Sequence, residues 1–242
     1  MLTLSNIRYI SLKNAPRMLS MTIGPRACLL IAGNNSEYRT RILLEIARLN
    51  NYKKEKINQR LIDLIPKKKL PTEIFYNKVN VDLFIDEWRD QVGYLPEHPN
   101  GICFQRMTLL DNLILWAKLY NVEPALDLII NMCGLDRYID YIYRDLTVLI
   151  RRISCIAIGL IMPNPTIWLM DNPLGDVFLD NIRGTLSIAQ IICYKCNQNG
   201  IVILTSTLTQ LNKLTKFLND NSVDPIIANM DNESPDIEFY EL

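Results

Sequence analysis

The amino-acid sequence predicts an α/β protein with a parallel-rich sheet, a β-containing N-terminal part and an inserted helical segment. Three short apolar runs without proline, Ala27–Ala32, Thr166–Met170 and Ile201–Thr205, are typical of parallel strands buried on both faces. Helical patterns alternate with these runs, and a block of such patterns separates the first run from the second. We therefore expect the three strands to lie side by side in the centre of one sheet.

The N-terminal part has the pattern of a sheet with one solvated face. Residues 1–12 alternate apolar and polar side chains and predict an edge strand, and Met18–Ile23 predicts a second strand. The buried strand Ala27–Ala32 follows, and a helix is expected from about Thr40, where apolar residues recur at helical spacing. Glu73–Tyr76 predicts a further short strand.

From Thr108 onward the pattern becomes helical, with Leu109, Leu113 and Trp116 on one face. The further helices predicted along the chain are Ala125–Cys133, Arg151–Met162, Ile182–Cys196 and Leu208–Leu218. We interpret residues 1–242 as a single domain. Its core lobe would comprise residues 1–100 and 163–242, and its helical lobe residues 101–162.

Composition excludes several classes of function. The formal net charge is zero, so no electrostatic attraction to nucleic acid is expected. The longest apolar runs, of about ten residues, are too short to span a bilayer. We expect an intracellular or organellar protein that is soluble, or peripheral to a membrane through a protein partner. Cys193 and Cys196 form a single C-x-x-C, which without a second pair does not predict a metal site.

The segment from Leu30 to Leu49 matches a phosphate-binding loop only in part. An intact loop has the pattern G-x-x-x-x-G-K-[ST], in which backbone N–H groups surround phosphate, the Lys reaches the outer phosphates and the hydroxyl meets magnesium. Gly33 and Thr40 match this pattern. Ser36 and Tyr38 stand where glycines belong, and Arg39 stands in place of the Lys. The frame of the loop is present, but most of its chemistry is absent.

The order of segments resembles the ATP-binding subunit of ABC transporters over nearly the whole chain. Besides the phosphate loop, the residues that carry the resemblance are Gly93-Tyr94-Leu95-Pro96-Glu97, Met107–Leu113, Asn164–Pro173, Leu179-Asp180 and Gly200–Leu208. Within this family, Trp116 and Ile167-Trp168-Leu169 are similar to the haem-export subunit of cytochrome c maturation, CcmA. The resemblance implies a P-loop NTPase-like sheet with an inserted helical lobe.

Position by position, the resemblance implies that the catalytic groups are missing. Asn172 replaces the carboxylate that orients the attacking water, and Thr207 replaces the switch His. Val148-Leu149 replaces the glycines of the LSGGQ signature. Glu97 replaces the loop Gln, and Arg39 replaces the Walker Lys. Asn172 cannot accept a proton as a general base does. Arg is not interchangeable with Lys in a tight loop. We therefore expect no ATPase activity and no catalytic residues.

Gly33, Arg39, Thr40 and Asp171 remain as a vestigial nucleotide site. Arg39 is expected to form a salt bridge with Glu37 or Asp171 in the vacant phosphate space. Simpler interpretations stay open: Asp171 caps a turn, Thr40 is a helix N-cap, and Tyr9, which matches the family's adenine-stacking aromatic, is an ordinary strand residue.

The resemblance also implies a docking groove near Glu97 and residues 102–120, including Trp116, for an integral membrane protein or a multi-subunit complex. We interpret the chain as a non-catalytic structural or interaction subunit that needs no cofactor. One alternative is a divergent transporter subunit that still binds ATP and magnesium through Arg39, Thr40 and Asp171. Another is a small-molecule enzyme that uses Glu97 and His98, although His98 is more simply a surface loop residue.

Overall fold

The structure is a computed structural model of the chain. It describes residues 1–10, 16–49, 72–97, 102–123, 125–162, 165–173, 175, 182–220, 223–231 and 237–238. For residues 8–10, 16–17, 182–189, 217 and 237–238 it describes the backbone alone. The predicted positions of His98 and Leu179-Asp180 lie outside the described residues.

A six-stranded sheet forms the centre of the molecule. Its strands are β3 (Cys28–Ala32), β6 (Val92–Leu95), β7 (Ile167–Met170), β8 (Ile201–Ser206), β9 (Pro225–Asn229) and β10 (Ile237–Glu238). They follow the spatial order β10-β9-β3-β8-β7-β6, and all neighbouring pairs are parallel except β9 with β10. The three apolar runs therefore lie side by side in one sheet, as predicted. Every residue of β3, β7 and β8 is buried, because helices and a second sheet cover both faces.

A four-stranded antiparallel sheet, built within residues 2–80, packs on one side of the six-stranded sheet. It comprises β1 (Leu2–Ile10), β2 (Pro16–Ile23), β4 (Glu73–Tyr76) and β5 (Val79–Asn80), in the order β2-β1-β4-β5. The prediction that residues 1–12 form an edge strand was wrong, because β1 pairs with β2 on one side and with β4 on the other. Alternating side chains indicate one solvated face of a sheet, and they do not distinguish an edge strand from an inner one.

Seven helices are described: α1 (Ser36–Ile46), α2 (Ile85–Asp90), α3 (Leu109–Leu119), α4 (Leu126–Met132), α5 (Val148–Ile161), α6 (Ile182–Asn197) and α7 (Leu208–Asp220). Two hydrophobic cores flank the parallel sheet. In one, α3 to α7 pack around Leu30, Trp168 and Leu204. In the other, α1 and the antiparallel sheet pack against Leu29, Leu169 and Ile203, the alternate residues of the same strands. The lobe boundaries at residues 101 and 162 stay a prediction.

Candidate functional site

The turn after β3 is shorter than the phosphate-loop pattern predicts. Helix α1 begins at Ser36, whereas the sequence predicted a helix from about Thr40. Asn35 is the N-cap, and its side-chain oxygen accepts a hydrogen bond from the Tyr38 N–H at 3.1 Å. An Asn N-cap followed by an acidic residue in the first turn, Glu37, favours this earlier start. Tyr38 is consequently helical and does not need the positive φ of a loop glycine.

Four backbone N–H groups of this segment donate to acceptors within the protein. Gly33 N–H donates to the Ser206 carbonyl at 3.0 Å, and Asn34 N–H donates to Asp231 Oδ2 at 3.0 Å. The Arg39 N–H donates to the Asn35 carbonyl at 3.3 Å, in addition to the Tyr38 bond to the Asn35 side chain. A phosphate nest needs such groups unpaired and converging on one anion. Asp231 instead brings a carboxylate to the position where an anionic ligand would meet the loop.

The Arg39 side chain folds back onto its own turn. Its Nη1 donates to the Gly33 carbonyl, and only 2% of the residue is exposed. The predicted salt bridge with Glu37 or Asp171 was wrong, because neither carboxylate lies within ion-pair distance of Arg39 among the described residues. Arg39 affects Asp171 only as a nearby positive charge, which opposes the rise in the pKa of Asp171 and is the weakest of its causes. The guanidinium thus stabilises the turn itself.

Asp171 joins helix α1 to the centre of the sheet. Its Oδ2 accepts a hydrogen bond from the Thr40 hydroxyl, and its Oδ1 accepts one from the Thr205 hydroxyl at 2.7 Å. Only 1% of Asp171 is exposed, and burial raises the pKa of its carboxyl, while the two hydroxyl bonds oppose this rise. The interpretation of Thr40 as a helix N-cap was wrong, because Thr40 lies inside α1 and Asn35 is its cap.

Asn172 and Glu97 pair with each other beside this carboxylate. Asn172 Nδ2 donates to Glu97 Oε1 at 2.6 Å, and the Asn172 N–H donates to Thr205 Oγ1 at 2.8 Å. The φ of Asn172 is +42°, in the left-handed region that Asn tolerates better than most residues. Where the resemblance expects a loop Gln and a following carboxylate, the chain has the reverse pair of groups. In this chain the carboxylate follows β6 and the amide follows β7.

The residues at the switch and signature positions, Thr207 and Thr147, lie at the N-termini of helices α7 and α5. The Thr207 carbonyl accepts bonds from the N–H groups of Gln210 and Leu211 at the start of α7, and its hydroxyl lies 2.9 Å from Thr209 Oγ1. Thr147 caps α5 by accepting the Ile150 N–H at 3.4 Å. Because of this cap, α5 begins at Val148, three residues before the predicted start at Arg151. Val148 is exposed at the front of that helix.

The two predicted docking residues are each held by a separate contact. Trp116, on α3, is half-buried, donates its indole N–H to the Ile102 carbonyl at 2.9 Å and stacks on Tyr120 with ring centroids 5.6 Å apart. Glu97 is bound to Asn172. The side chain of Tyr9 lies outside the described residues, so its predicted stacking on adenine stays a prediction.

Gly33, Arg39, Thr40 and Asp171 are brought together at the carboxyl ends of β3 and β7, and their role toward a nucleotide stays a prediction. Sequence reasoning missed Thr205 and Asp231. Thr205 and Ser206 are the polar residues at the end of an otherwise apolar strand, which is a usable signal at the carboxyl edge of a parallel sheet. Asp231 contacts Asn34 across 197 positions of the chain, and no local pattern indicates that contact. Among the described residues no group of three or more His, Cys, Asp or Glu is placed to hold a metal ion.

Comparison with solved structures defines the class of this fold. The chain is similar to the ATP-binding subunit of an ABC transporter (TM-score 0.66, 14% identity, covering 94% of this chain and 85% of the other). It is also similar to an ABC transporter ATP-binding protein from Pyrococcus furiosus (TM-score 0.61, 21% identity, covering 85% of this chain and 90% of the other). A dimeric bacterial ABC transporter cassette is similar as well (TM-score 0.66, 16% identity, covering 96% of this chain and 95% of the other). The chain therefore has the fold of an ABC ATP-binding subunit, as predicted.

One curated protein gives a narrower similarity. The cytochrome c biogenesis ATP-binding export protein CcmA of Rickettsia bellii is 28% identical to this chain over 133 residues. The match covers 55% of this chain and 63% of that protein, so it spans less than two thirds of the relative's length. No protein-family model matches the chain.

The burial of the Asp171 carboxyl predicts an unusual dependence of the protein's stability on pH. Burial raises its pKa, so the folded state favours the neutral acid, and the resulting stabilisation is lost as the pH rises through the folded-state pKa. We expect Asp171→Asn to raise Tm near neutral pH. The gain should vanish as the pH falls below about 4, the ordinary pKa of Asp, where the native residue is neutral in both states.

Asp224→Asn is the matched control, because Asp224 is exposed, and it should not produce this pattern. Thermal unfolding followed by circular dichroism across this pH range measures both variants. A lower Tm for Asp171→Asn than for the native chain at neutral pH would contradict the assignment.

Proposed function

We propose that this chain is a non-catalytic relative of ABC ATP-binding subunits that acts as a structural or interaction component of a membrane-associated complex. The observation that carries the proposal is the state of the phosphate loop. Gly33, Asn34, Tyr38 and Arg39 donate their N–H groups to protein acceptors, and the Arg39 guanidinium is buried against the Gly33 carbonyl. Opening this loop to a triphosphate would require breaking these bonds and removing the Asp231 carboxylate from the Asn34 N–H.

The surroundings of Asp171 support the same proposal. In this chain the hydroxyls of Thr40 and Thr205 donate to the two carboxylate oxygens. Thr40 and Asp171 are thus retained because their hydrogen bond holds α1 on the sheet.

The replaced groups argue against residual catalysis. Asn172 follows Asp171 and cannot accept a proton from water, and Thr207 begins helix α7. Losing one positioned group that stabilises a transition state commonly lowers the rate by about 10²–10³. Such losses are not additive, but Asn172 and Thr207 replace two such groups at the same site.

The surface of the helical segment supports an interaction role. Phe104, in the loop before α3, is 56% exposed, and Leu119, at the end of α3, is 62% exposed. Both belong to the segment predicted to dock a partner, together with Trp116. No helix among the described residues is long and apolar enough to span a membrane. We propose that the partner is an integral membrane protein or a multi-subunit complex, and that the chain is an intracellular or organellar protein held at the membrane by it.

The similarity to CcmA supports an origin in cytochrome c maturation or haem export. The matched 133 residues include no more than 55% of this chain, so we propose ancestry rather than a shared activity. A second candidate is a divergent subunit that still binds ATP and magnesium. It is favoured by one observation, the direct contact between Thr40 and Asp171, which is the arrangement that a magnesium site also uses.

Titration with magnesium-ATP separates the two candidates. We expect no saturable heat by isothermal titration calorimetry and no magnesium-dependent hydrolysis above background. The reason is that four N–H groups of the loop already donate to protein acceptors. The double variant Arg39→Lys with Asn172→Glu should not restore hydrolysis, since Tyr38 and Val148-Leu149 remain.

The control for the titration is Arg106→Ala, which removes an exposed arginine from the loop before α3. Micromolar affinity that is lost in Arg39→Ala and kept in Arg106→Ala would support the ATP-binding candidate and overturn the proposal. An intact ABC ATP-binding subunit serves as the positive control for both assays.

Photo-crosslinking tests the docking surface. With Phe104 replaced by p-benzoylphenylalanine, we expect crosslinking in intact cells to an integral membrane protein, because this exposed aromatic lies in the docking segment. The control position is Leu83, which is 81% exposed and follows β5 on the antiparallel sheet. No adduct at position 104, or an equal yield of the same adduct at position 83, would contradict this assignment of the surface.

A further inference from the structure

A cavity lies within the helical side of the molecule and uses none of the residues of the phosphate loop. It has a volume of about 320 Å³ and is bounded by α4, the end of α5 and the C-terminal part of α6. Its wall is mainly apolar, with Val122, Leu128, Ile129 and Met132 on one side. Its polar lining includes Lys195 of α6 and Gln198, the residue that follows this helix. This volume is at the lower end of the range of small-molecule sites.

Lys195 is a buried cation at this cavity. Only 8% of the residue is exposed, and burial lowers the pKa of its ammonium group. Its Nζ lies 4.6 Å from the centroid of the Trp168 ring and 5.6 Å from that of the Tyr194 ring. No carboxylate among the described residues lies within ion-pair distance of Lys195. A buried charge without a counter-ion is costly, and the two aromatic faces offset part of that cost.

The surroundings hold this ammonium in a fixed position. The Trp168 indole N–H donates to the Pro165 carbonyl at 3.0 Å, so the ring beneath Nζ is immobilised. Gly159 of α5 is packed directly against the same ring, because a Cβ there would lie 2.8 Å from it. The Lys195 carbonyl accepts the N–H groups of Gln198 and Gly200 at the end of α6, which fixes the backbone. The three N–H donors of the ammonium group find no hydrogen-bond acceptor among the described residues.

We propose that this cavity binds a small amphipathic carboxylate, whose apolar tail packs against Leu128, Ile129 and Met132 and whose head pairs with Lys195. Charge complementarity selects the anion, because the cavity combines an apolar wall with one cation that lacks a described counter-ion. The size of the cavity restricts the tail to a short chain or a single ring. Gln198 lies on the lining and supplies an amide that donates to the second carboxylate oxygen.

A purely structural role for Lys195 predicts different behaviour. If the ammonium only stabilises the end of α6 and the Trp168 face, its removal should change stability alone, and neutral and anionic ligands should bind alike. If it is the head-group site, affinity should depend on the charge of the ligand and on the charge at position 195. The two roles are separated by measuring binding with a matched pair of ligands.

Octanoate and its neutral counterpart 1-octanol are the probes, titrated into the full-length protein by isothermal titration calorimetry. We expect saturable octanoate binding, accompanied by a change in tryptophan fluorescence because Trp168 lies beneath the head group. Octanol should bind about tenfold more weakly, since its hydroxyl carries no negative charge to pair with the ammonium. Lys195→Met should reduce octanoate affinity by about the same factor and leave octanol affinity unchanged, whereas Lys195→Arg should retain octanoate binding.

Leu128→Trp is the control for the location of the site, because Leu128 lines the cavity, is half-exposed and is replaced by a larger side chain that fills it. It should abolish binding of both ligands while Tm stays close to that of the native chain. The proposal is overturned by the absence of saturable octanoate binding, by equal affinity for the two ligands, or by octanoate binding that survives Leu128→Trp. If Lys195→Met does not fold, the comparison of octanoate with octanol on the native chain still decides the question.

Discussion

The carboxylate of Asp171 is the interaction on which the arrangement of the site depends. Its two oxygens accept hydrogen bonds from Thr40 of α1 and Thr205 of β8, so one side chain joins two neighbouring strands and the helix after a third. Thr205 in turn accepts the Asn172 N–H, and Asn172 binds Glu97 at the end of β6. Both oxygens of Asp171 are thus bound by hydroxyl groups of the chain, and burial raises the pKa of its carboxyl.

The loop between β3 and α1 follows the same logic. The Asn34 N–H donates to Asp231, the Tyr38 N–H donates to the Asn35 side chain, and Arg39 Nη1 donates to the Gly33 carbonyl. A helix N-terminus attracts an anion, and here Asp231 and the Asn35 oxygen supply the negative charge and the capping oxygen. The proposed loss of nucleotide binding follows from these internal acceptors, which compete directly with phosphate.

The sequence predicted features that depend on local patterns better than features that depend on contacts between distant segments of the chain. The prediction of the three central strands was correct because a short apolar run without proline is typical of a strand that is buried on both faces. The predicted start of α1 was wrong because the phosphate-loop pattern outweighed the Asn35 N-cap, which lies three residues after the last residue of β3. The Arg39 salt bridge was wrong because Asp171 already had two hydroxyl donors, and Thr205 and Asp231 were missed because contacts between distant segments leave no local signal.

Hydrogen–deuterium exchange of the Asn34, Tyr38 and Arg39 amides tests the central claim most directly. The account predicts that these amides are protected in the protein alone, because they donate to Asp231 and Asn35, and that saturating magnesium-ATP leaves their exchange rates unchanged. Rapid exchange in the protein alone that becomes slow when magnesium-ATP is added would contradict it, because the loop would then be open and would close on phosphate.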